Sequence, residues 1–544
     1  MTRIFRTSLF AILAAVPVAA SPLAAQTPAA QPAAATCSVD FSQPKEYVTL
    51  YNIGRARAIQ LPAGDERAKS IRDIMKSLAN PKNISANPQG TSLFAGQMMI
   101  LWMLQPGSPA TATRGQLNWG EPKDAVIDLA KTADSLFTAV ETAQPVCVSE
   151  TKIWRQYKPW QDRINAAFKA LQNNQLDSAE MLAKSSMVLD RMSPYAYRVL
   201  AAVAQGRGSQ GDMLQHLEKA LAMTVGDTGY AEDRRAVQFQ IGQVGLEYAE
   251  IQPEPKRTET LRNAANAMIA LATESPAADV TPYALSGLGM AAASLKDSSL
   301  FAKCFDIVNS ATDKYNDLAT LQAAMCANRN GKTVDAVRLF EVTVAKNPNA
   351  RDALYNGAAL LYELRKGDEM LALVSKLVAI DPSNPDNVSL YAYAYNVIAD
   401  KHKPVAPVAP APVAAPVAPA GKPGAKGAVK PAPAPVAAPA PAPVPNPWID
   451  SVSKYMKQSD DMPQKVTITD FVRYTDRAML KGDVENRSKV ARSYEVEFEF
   501  LDLTGAVIDK QVAKVGPVEP GKPASFTLNS AKAKIVAWRY APIK

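Results

Sequence analysis

The sequence predicts a mainly α chain of repeated helical hairpins, then a Pro/Ala-rich linker, then a small all-β sandwich. Three observations carry this. Pro348 and Pro382 each end a helical run and stand 34 residues apart. Residues 404–447 are almost entirely Pro, Ala and Val. In Tyr494-Glu495-Val496-Glu497-Phe498-Glu499-Phe500, large apolar residues alternate with glutamates, the period of a strand with one wet face.

The N-terminus carries the parts of a secretory signal over residues 1–25. Arg3 and Arg6 precede the apolar stretch Leu9 to Ala20, and small-residue exits follow at Val18-Ala19-Ala20 and Leu23-Ala24-Ala25. That stretch is too short to span a bilayer, so a removable signal peptide is expected, with a mature start near Ser21 or Gln26. A Pro/Ala-rich spacer, residues 26–36, comes next. Cys37 follows Ala34-Ala35-Thr36, unlike a lipoprotein signal, so no lipid anchor is expected. The most apolar later run, Met98 to Leu104, is of buried-helix length.

An exported chain with four cysteines, Cys37, Cys147, Cys304 and Cys326, has material for two disulfides, and spacing leaves three pairings open. No C-x-x-C is present. With only His216 and His402, candidates for metal ligand or general base are few, and no cofactor is expected. Of the formal charge of +8, residues 1–25 hold +2, residues 403–447 hold +4 and residues 448–544 hold +3, which leaves −1 for residues 26–402. A near-neutral helical region argues against nucleic acid as a partner.

Residues 37–402 read as helix after helix, with the 34-residue step recurring at Ala324 and Ala358, Phe340 and Val374, Ala167 and Ala201, and Ser186 and Ala220. A 34-residue period with small residues at fixed offsets resembles the tetratricopeptide repeat. The best matches are residues 160–227 and 317–384, where Ala324, Ala336 and Thr343, then Ala358, Met370 and Leu377, occupy the close-packing positions. The resemblance implies an α-solenoid whose first helices line a groove. It places Gln322, Asn328, Arg329, Tyr355, Asn356 and Tyr362 there as ligand-binding candidates. It also stacks the helix bearing Cys304 on that bearing Cys326, which implies the pairs 304–326 and 37–147. The run Asp386 to Asp400, with Tyr391 and Tyr395 on one face, is expected to cap the stack.

Residues 403–447 hold too little large apolar surface for a core and too much proline for helix or sheet, so they are expected to act as an extended spacer between independent halves. Over residues 448–544, strands are expected at Val466–Val472, Met479–Glu485, Tyr494–Phe500, Val507–Val515, Ala524–Leu528 and Lys534–Tyr540. Phe498-Glu499-Phe500-Leu501-Asp502 with Gly505, after Lys481-Gly482-Asp483-Val484-Glu485-Asn486, resembles the FxLYD-type bacterial domain. That family implies an extracytoplasmic accessory domain.

Gly206-Arg207-Gly208-Ser209-Gln210-Gly211 has the spacing of a dinucleotide-binding loop, but no second strand with an acidic end follows. The repeat register makes it a turn between helices. His216 lies among repeat positions, and no nucleophile elbow, zinc-binding helix or phosphate-binding loop is present. The expectation is therefore a non-catalytic, exported scaffold for envelope proteins or peptides. The alternative is a structural envelope component touching an anionic wall or membrane surface through the basic linker and C-terminal part.

Overall fold

The computed structural model describes residues 37, 39–402 and 446–543. The expected signal peptide, the expected spacer 26–36 and the expected linker from 403 to 445 lie outside the described residues. The chain forms two compact units, residues 1–271 and 272–544.

The first unit opens irregularly. Short helical pieces run from Glu46 to Gln60, then come α1 (Asp65–Leu78) and α2 (Pro88–Trp102). A two-stranded pair, Thr111–Thr113 with Val126–Asp128, precedes α3 (Leu129–Ala143); the sequence reading expected only helices here. Met98, Met99, Ile100, Leu101 and Met103 are buried as expected. Hairpins follow: α4 (Lys158–Gln172) with α5 (Leu176–Met187), α6 (Pro194–Gly206) with α7 (Gln210–Ala222), and the longer α8 (Ala231–Ala249) with α9 (Lys256–Glu274). A Cβ on Gly245 would meet the Ala264 Cβ at 2.8 Å, so glycine is what lets α8 and α9 approach. Cys37 pairs with Cys147, with Cα atoms 4.6 Å apart, tying the chain's start to the end of the irregular region.

The second unit continues with α10 (Thr281–Leu295), α11 (Ser298–Asn309), α12 (Asp317–Arg329), α13 (Thr333–Lys346), α14 (Arg351–Glu363), α15 (Gly367–Ile380) and α16 (Pro385–Lys401). The first helices α12, α14 and α16 begin at 317, 351 and 385, the 34-residue step read from the sequence. Ala324, Ala336, Thr343, Ala358, Met370 and Leu377 are all buried, as close packing of tetratricopeptide-like hairpins requires. Thr320 and Thr343 hydroxyls bond each other at 2.9 Å inside that core, satisfying two polar groups that burial would otherwise strand. Cys304 on α11 pairs with Cys326 on α12, Cα atoms 6.1 Å apart, clamping neighbouring hairpins.

Two expectations need correction. The run from Asp386 to Asp400 does not close the stack, because residues expected to open the sandwich form a further helix, α17 (Pro447–Asp460), that packs along α16. Tyr391 stacks on Tyr455 with ring centroids 4.6 Å apart, and Tyr395 lies 5.6 Å from Tyr455 and 5.9 Å from Trp448. The tyrosines that looked like a cap are a helix interface. Asn446 caps α17 and turns it back, its side chain accepting from the Trp448 N–H.

The sandwich itself has six strands close to those expected: β1 (Gln464–Arg473), β2 (Ala478–Asn486), β3 (Arg492–Leu501), β4 (Val507–Val518), β5 (Pro523–Ser530) and β6 (Ala537–Tyr540). They form two antiparallel sheets, ordered β1-β2-β5 and β4-β3-β6. Val466 opposes Val484 and Leu480 opposes Leu528 in one, while Phe498 opposes Tyr540 and Phe500 opposes Trp538 in the other. Tyr494, Val496, Phe498, Phe500 and Trp538 are buried, and their glutamate neighbours face lysines and Arg539 outside. A Cβ on Gly482 would come within 2.7 Å of both the Phe526 ring and the Thr467 carbonyl oxygen. The second correction concerns placement: the sandwich sits against the hairpins of its own unit rather than apart from them.

Candidate functional site

That seam follows the hairpin loops at the starts of α12, α14 and α16. At α12, Arg473 of β1 donates to the buried Asp317 carboxylate at 2.9 Å, and Asn347 donates to the same group at 2.8 Å. Asn347 and Arg473 also donate to the Val536 carbonyl, at 3.3 and 3.1 Å, and the Tyr283 hydroxyl of α10 donates to the Arg473 carbonyl at 2.8 Å. Near α14, Asp381 is fully buried and accepts from the Asn387 amide at 2.8 Å, Arg351 at 3.4 Å and the Tyr540 hydroxyl of β6 at 2.5 Å. Tyr540 accepts in turn from the Ser383 N–H at 3.2 Å. At α16, the Val466 N–H donates to the Ser383 carbonyl at 2.9 Å, and Lys465 pairs with Asp386 at 2.8 Å.

The electrostatics follow from burial. Desolvation, reinforced by the Asp381 carboxylate, pushes the Tyr540 phenol well above its ordinary value, so it stays a donor. Burial works against the Arg351 guanidinium, but Asp352 and Asp381 more than offset it and its pKa is raised. With Asn384 also donating at 3.5 Å, four donor groups hold this buried carboxylate, which anchors the seam.

The six groove candidates lie on α12 and α14. Gln322 is half-buried, while Asn328 and Arg329 are exposed. Tyr355 is half-buried beneath the Arg351 guanidinium, 5.1 Å from its ring centroid. The Asn356 amide donates to the Asp352 carbonyl at 2.8 Å, on its own helix. Tyr362 is 36% exposed and lies 5.6 Å, centroid to centroid, from Tyr393 of α16, which is 42% exposed. The structure thus brings Tyr362 of α14 beside Tyr393 of α16, with Asn396 exposed one turn on. Sequence reasoning missed Tyr393 because its helix was assigned as a cap; it is Ala359 plus 34 in the register. The seam residues Arg473 and Tyr540 carried no sequence signal, since their partners lie 156 and 159 positions away.

In the first unit, the Gly206–Gly211 motif is a turn between α6 and α7, with Gly208 at φ 75°. It borders a cleft of about 620 Å³ lined also by Tyr248, Lys256, Glu259 and Asn263. A Cβ on Gly211 would meet the Tyr248 hydroxyl at 2.7 Å, so this glycine answers to helix packing. His216 is half-buried, and burial lowers its pKa. Among the described residues no group of three or more His, Cys, Asp or Glu side chains is placed to hold a metal ion, and no helix is long and apolar enough to cross a membrane.

Comparison with known proteins places the chain in no family: no family model and no curated protein matches it. Among solved structures it is similar to one from the functional characterisation of Pseudomonas aeruginosa pilF, at 15% identity and TM-score 0.26, covering 40% of this chain and 90% of that one. It is also similar to a chain of the APC/C hetero-tetramer Cut9-Hcn1, at 10% identity and TM-score 0.25, covering 65% of this chain and 70% of that one. At such scores neither likeness carries an argument about function, and the tetratricopeptide-like reading rests on the chain's own register and packing.

Proposed function

We propose that the protein is a non-catalytic, exported scaffold that binds envelope proteins or peptides on the first-helix face of its second unit. The observation that carries this is the tyrosine pair Tyr362 of α14 and Tyr393 of α16, both partly exposed, with ring centroids 5.6 Å apart. Aromatic side chains with polar tips offer large contact area and a hydrogen bond at little entropic cost, the chemistry of a recognition surface. Export is supported by the signal-like start and by the two disulfides, which persist in oxidising compartments. The FxLYD-like sandwich serves here as a brace on the hairpin loops rather than a second tethered binder.

A photo-crosslinking amino acid at Tyr362, expressed in the native host, should capture a second polypeptide that one at Lys376, exposed on α15, does not. Identical products from both positions, or none from Tyr362, would remove the reading. The alternative, contact with an anionic wall or membrane through the basic linker and C-terminal part, is separated by salt: capture that disappears in high salt regardless of position favours it.

A further inference from the structure

The cleft beside the Gly206–Gly211 turn is a groove built entirely within the first unit. α8 supplies its floor with Ile241, Gly245 and the Tyr248 ring, and the second helices α7 and α9 supply its sides. At one end the Asn263 amide of α9 donates to the Glu218 carboxylate of α7 at 3.4 Å, bridging the two sides. At the other end Gly211 leaves room for the Tyr248 hydroxyl, and the Lys256 ammonium lies over the Tyr248 ring, 5.7 Å from its centroid. From Gly211 to Glu218 the α7 side runs ~11 Å at 1.5 Å per residue, room for about three residues of extended chain. The volume of about 620 Å³ falls in the range of roughly 300–1,000 Å³ that binding clefts occupy.

We propose that this groove is a second binding site, on the second-helix side of the first unit, for a short extended peptide segment that sets a lysine or arginine between Glu218 and Glu259. The inference is independent of the Tyr362 and Tyr393 reading. Charge selects the partner: the lining holds the carboxylates of Asp212, Glu218 and Glu259 against the single ammonium of Lys256, three negative and one positive, or −2. Asp212 accepts from the Ser209 hydroxyl at 2.7 Å and Glu218 from Asn263, so both are held in place by neutral donors. The same sign repels phosphate, which sets aside the nucleotide that the glycine spacing suggests. Between the carboxylates, Leu214 and Ala264 offer apolar wall for the methylene stem of a basic side chain. The exposed amides of Gln215 and Asn263 can exchange hydrogen bonds with peptide backbone, whose donors and acceptors lie free in extended chain. At the rim Ile251, 70% exposed, gives a neighbouring apolar side chain of the peptide a surface to cover.

The test probes the full chain with an array of synthetic pentapeptides whose central residue runs through all amino acids between alanine and leucine flanks. Peptides with a central Lys or Arg should bind on the order of tenfold better than those with Ala, Asp or Glu. Glu218→Gln with Glu259→Gln, both at exposed helix positions, should remove that preference while leaving the helical spectrum intact. Hydrogen exchange of the native chain with the best peptide bound should slow in residues 208–218 and 256–264 and stay unchanged in α14 and α16. Binding by no peptide, binding without preference for a basic centre, or a preference that survives the double substitution overturns the proposal. Slowed exchange confined to α14 and α16 also overturns it, and supports instead the reading of Tyr362 and Tyr393 as the binding surface.

Discussion

Removing the Tyr540 hydroxyl should loosen hairpins that Tyr540 does not belong to. Tyr540 is only 3% exposed, and its hydroxyl is both donor to the buried Asp381 carboxylate and acceptor from the Ser383 N–H. Tyr540→Phe keeps the ring on Phe498, whose centroid is 5.0 Å away, and deletes only these bonds. A hydrogen bond to a charged group contributes about 1.5–3 kcal/mol, and a buried donor left unmatched costs about 1–3 kcal/mol more. Asp381 keeps Asn387 and Arg351, which moderates the loss. The balance is a destabilisation of about 2–3 kcal/mol, or roughly 30- to 150-fold in local opening. Hydrogen exchange by mass spectrometry reads it segment by segment. Peptides from α14 and α16 and peptides from β3 should all exchange faster by that factor, while peptides from α4 to α7 stay unchanged. Acceleration confined to β6 and its neighbours, or a change below threefold throughout, would refute the view that this bond joins sheet to hairpins.

Other consequences follow from the same contacts. Because the Tyr540 phenol is raised above its unfolded value of 10.0, its contribution to stability is fully present below pH 10 and lost as pH rises through the folded pKa. The native chain should therefore weaken above pH 10 more steeply than Tyr540→Phe in pH-scanned urea melts. Gly482→Ala should cost about 1–3 kcal/mol by overpacking against Phe526 and Thr467, measured by chemical denaturation. Replacing Cys304 and Cys326 by serine opens a loop of sequence separation 22, and the loop-entropy estimate gives about 3 kcal/mol, visible as faster exchange in α11 and α12.

The repeats were legible because their signal is periodic: small residues at a 34-residue step have one physical use, letting helices approach. The strands were legible for a similar reason, since alternation such as Tyr494 to Phe500 leaves one buried face whichever neighbours it finds. What could not be read was the joining of the two. Asp317, Asp381 and Asn387 look like ordinary loop and cap residues, and their burial depends on Arg473 and Tyr540, which the chain brings back from a distant segment. The linker composition also misled. The reading of 404–445 as an extended spacer falls outside the described residues, and composition says nothing of where its ends lie. Pro447 sits at the first turn of α17, where a missing N–H costs nothing, so the proline run was extended past its physical limit. Among the six groove residues, register named Tyr362 but not its partner Tyr393, and it could not foresee that the Asn356 amide is taken by its own helix.

The central claim is that the sandwich and the hairpins of its unit form one scaffold. Limited proteolysis at Lys422, Lys426 or Lys430, followed by size-exclusion chromatography without denaturant, tests it most directly. Cleavage should leave both products in one peak at the mobility of the uncut protein, because α17, Arg473 and Tyr540 still hold the C-terminal piece on α10, α12, α14 and α16. Separation into two folded fragments, one helical and one β in the far ultraviolet, would contradict the account and restore a tethered pair of domains.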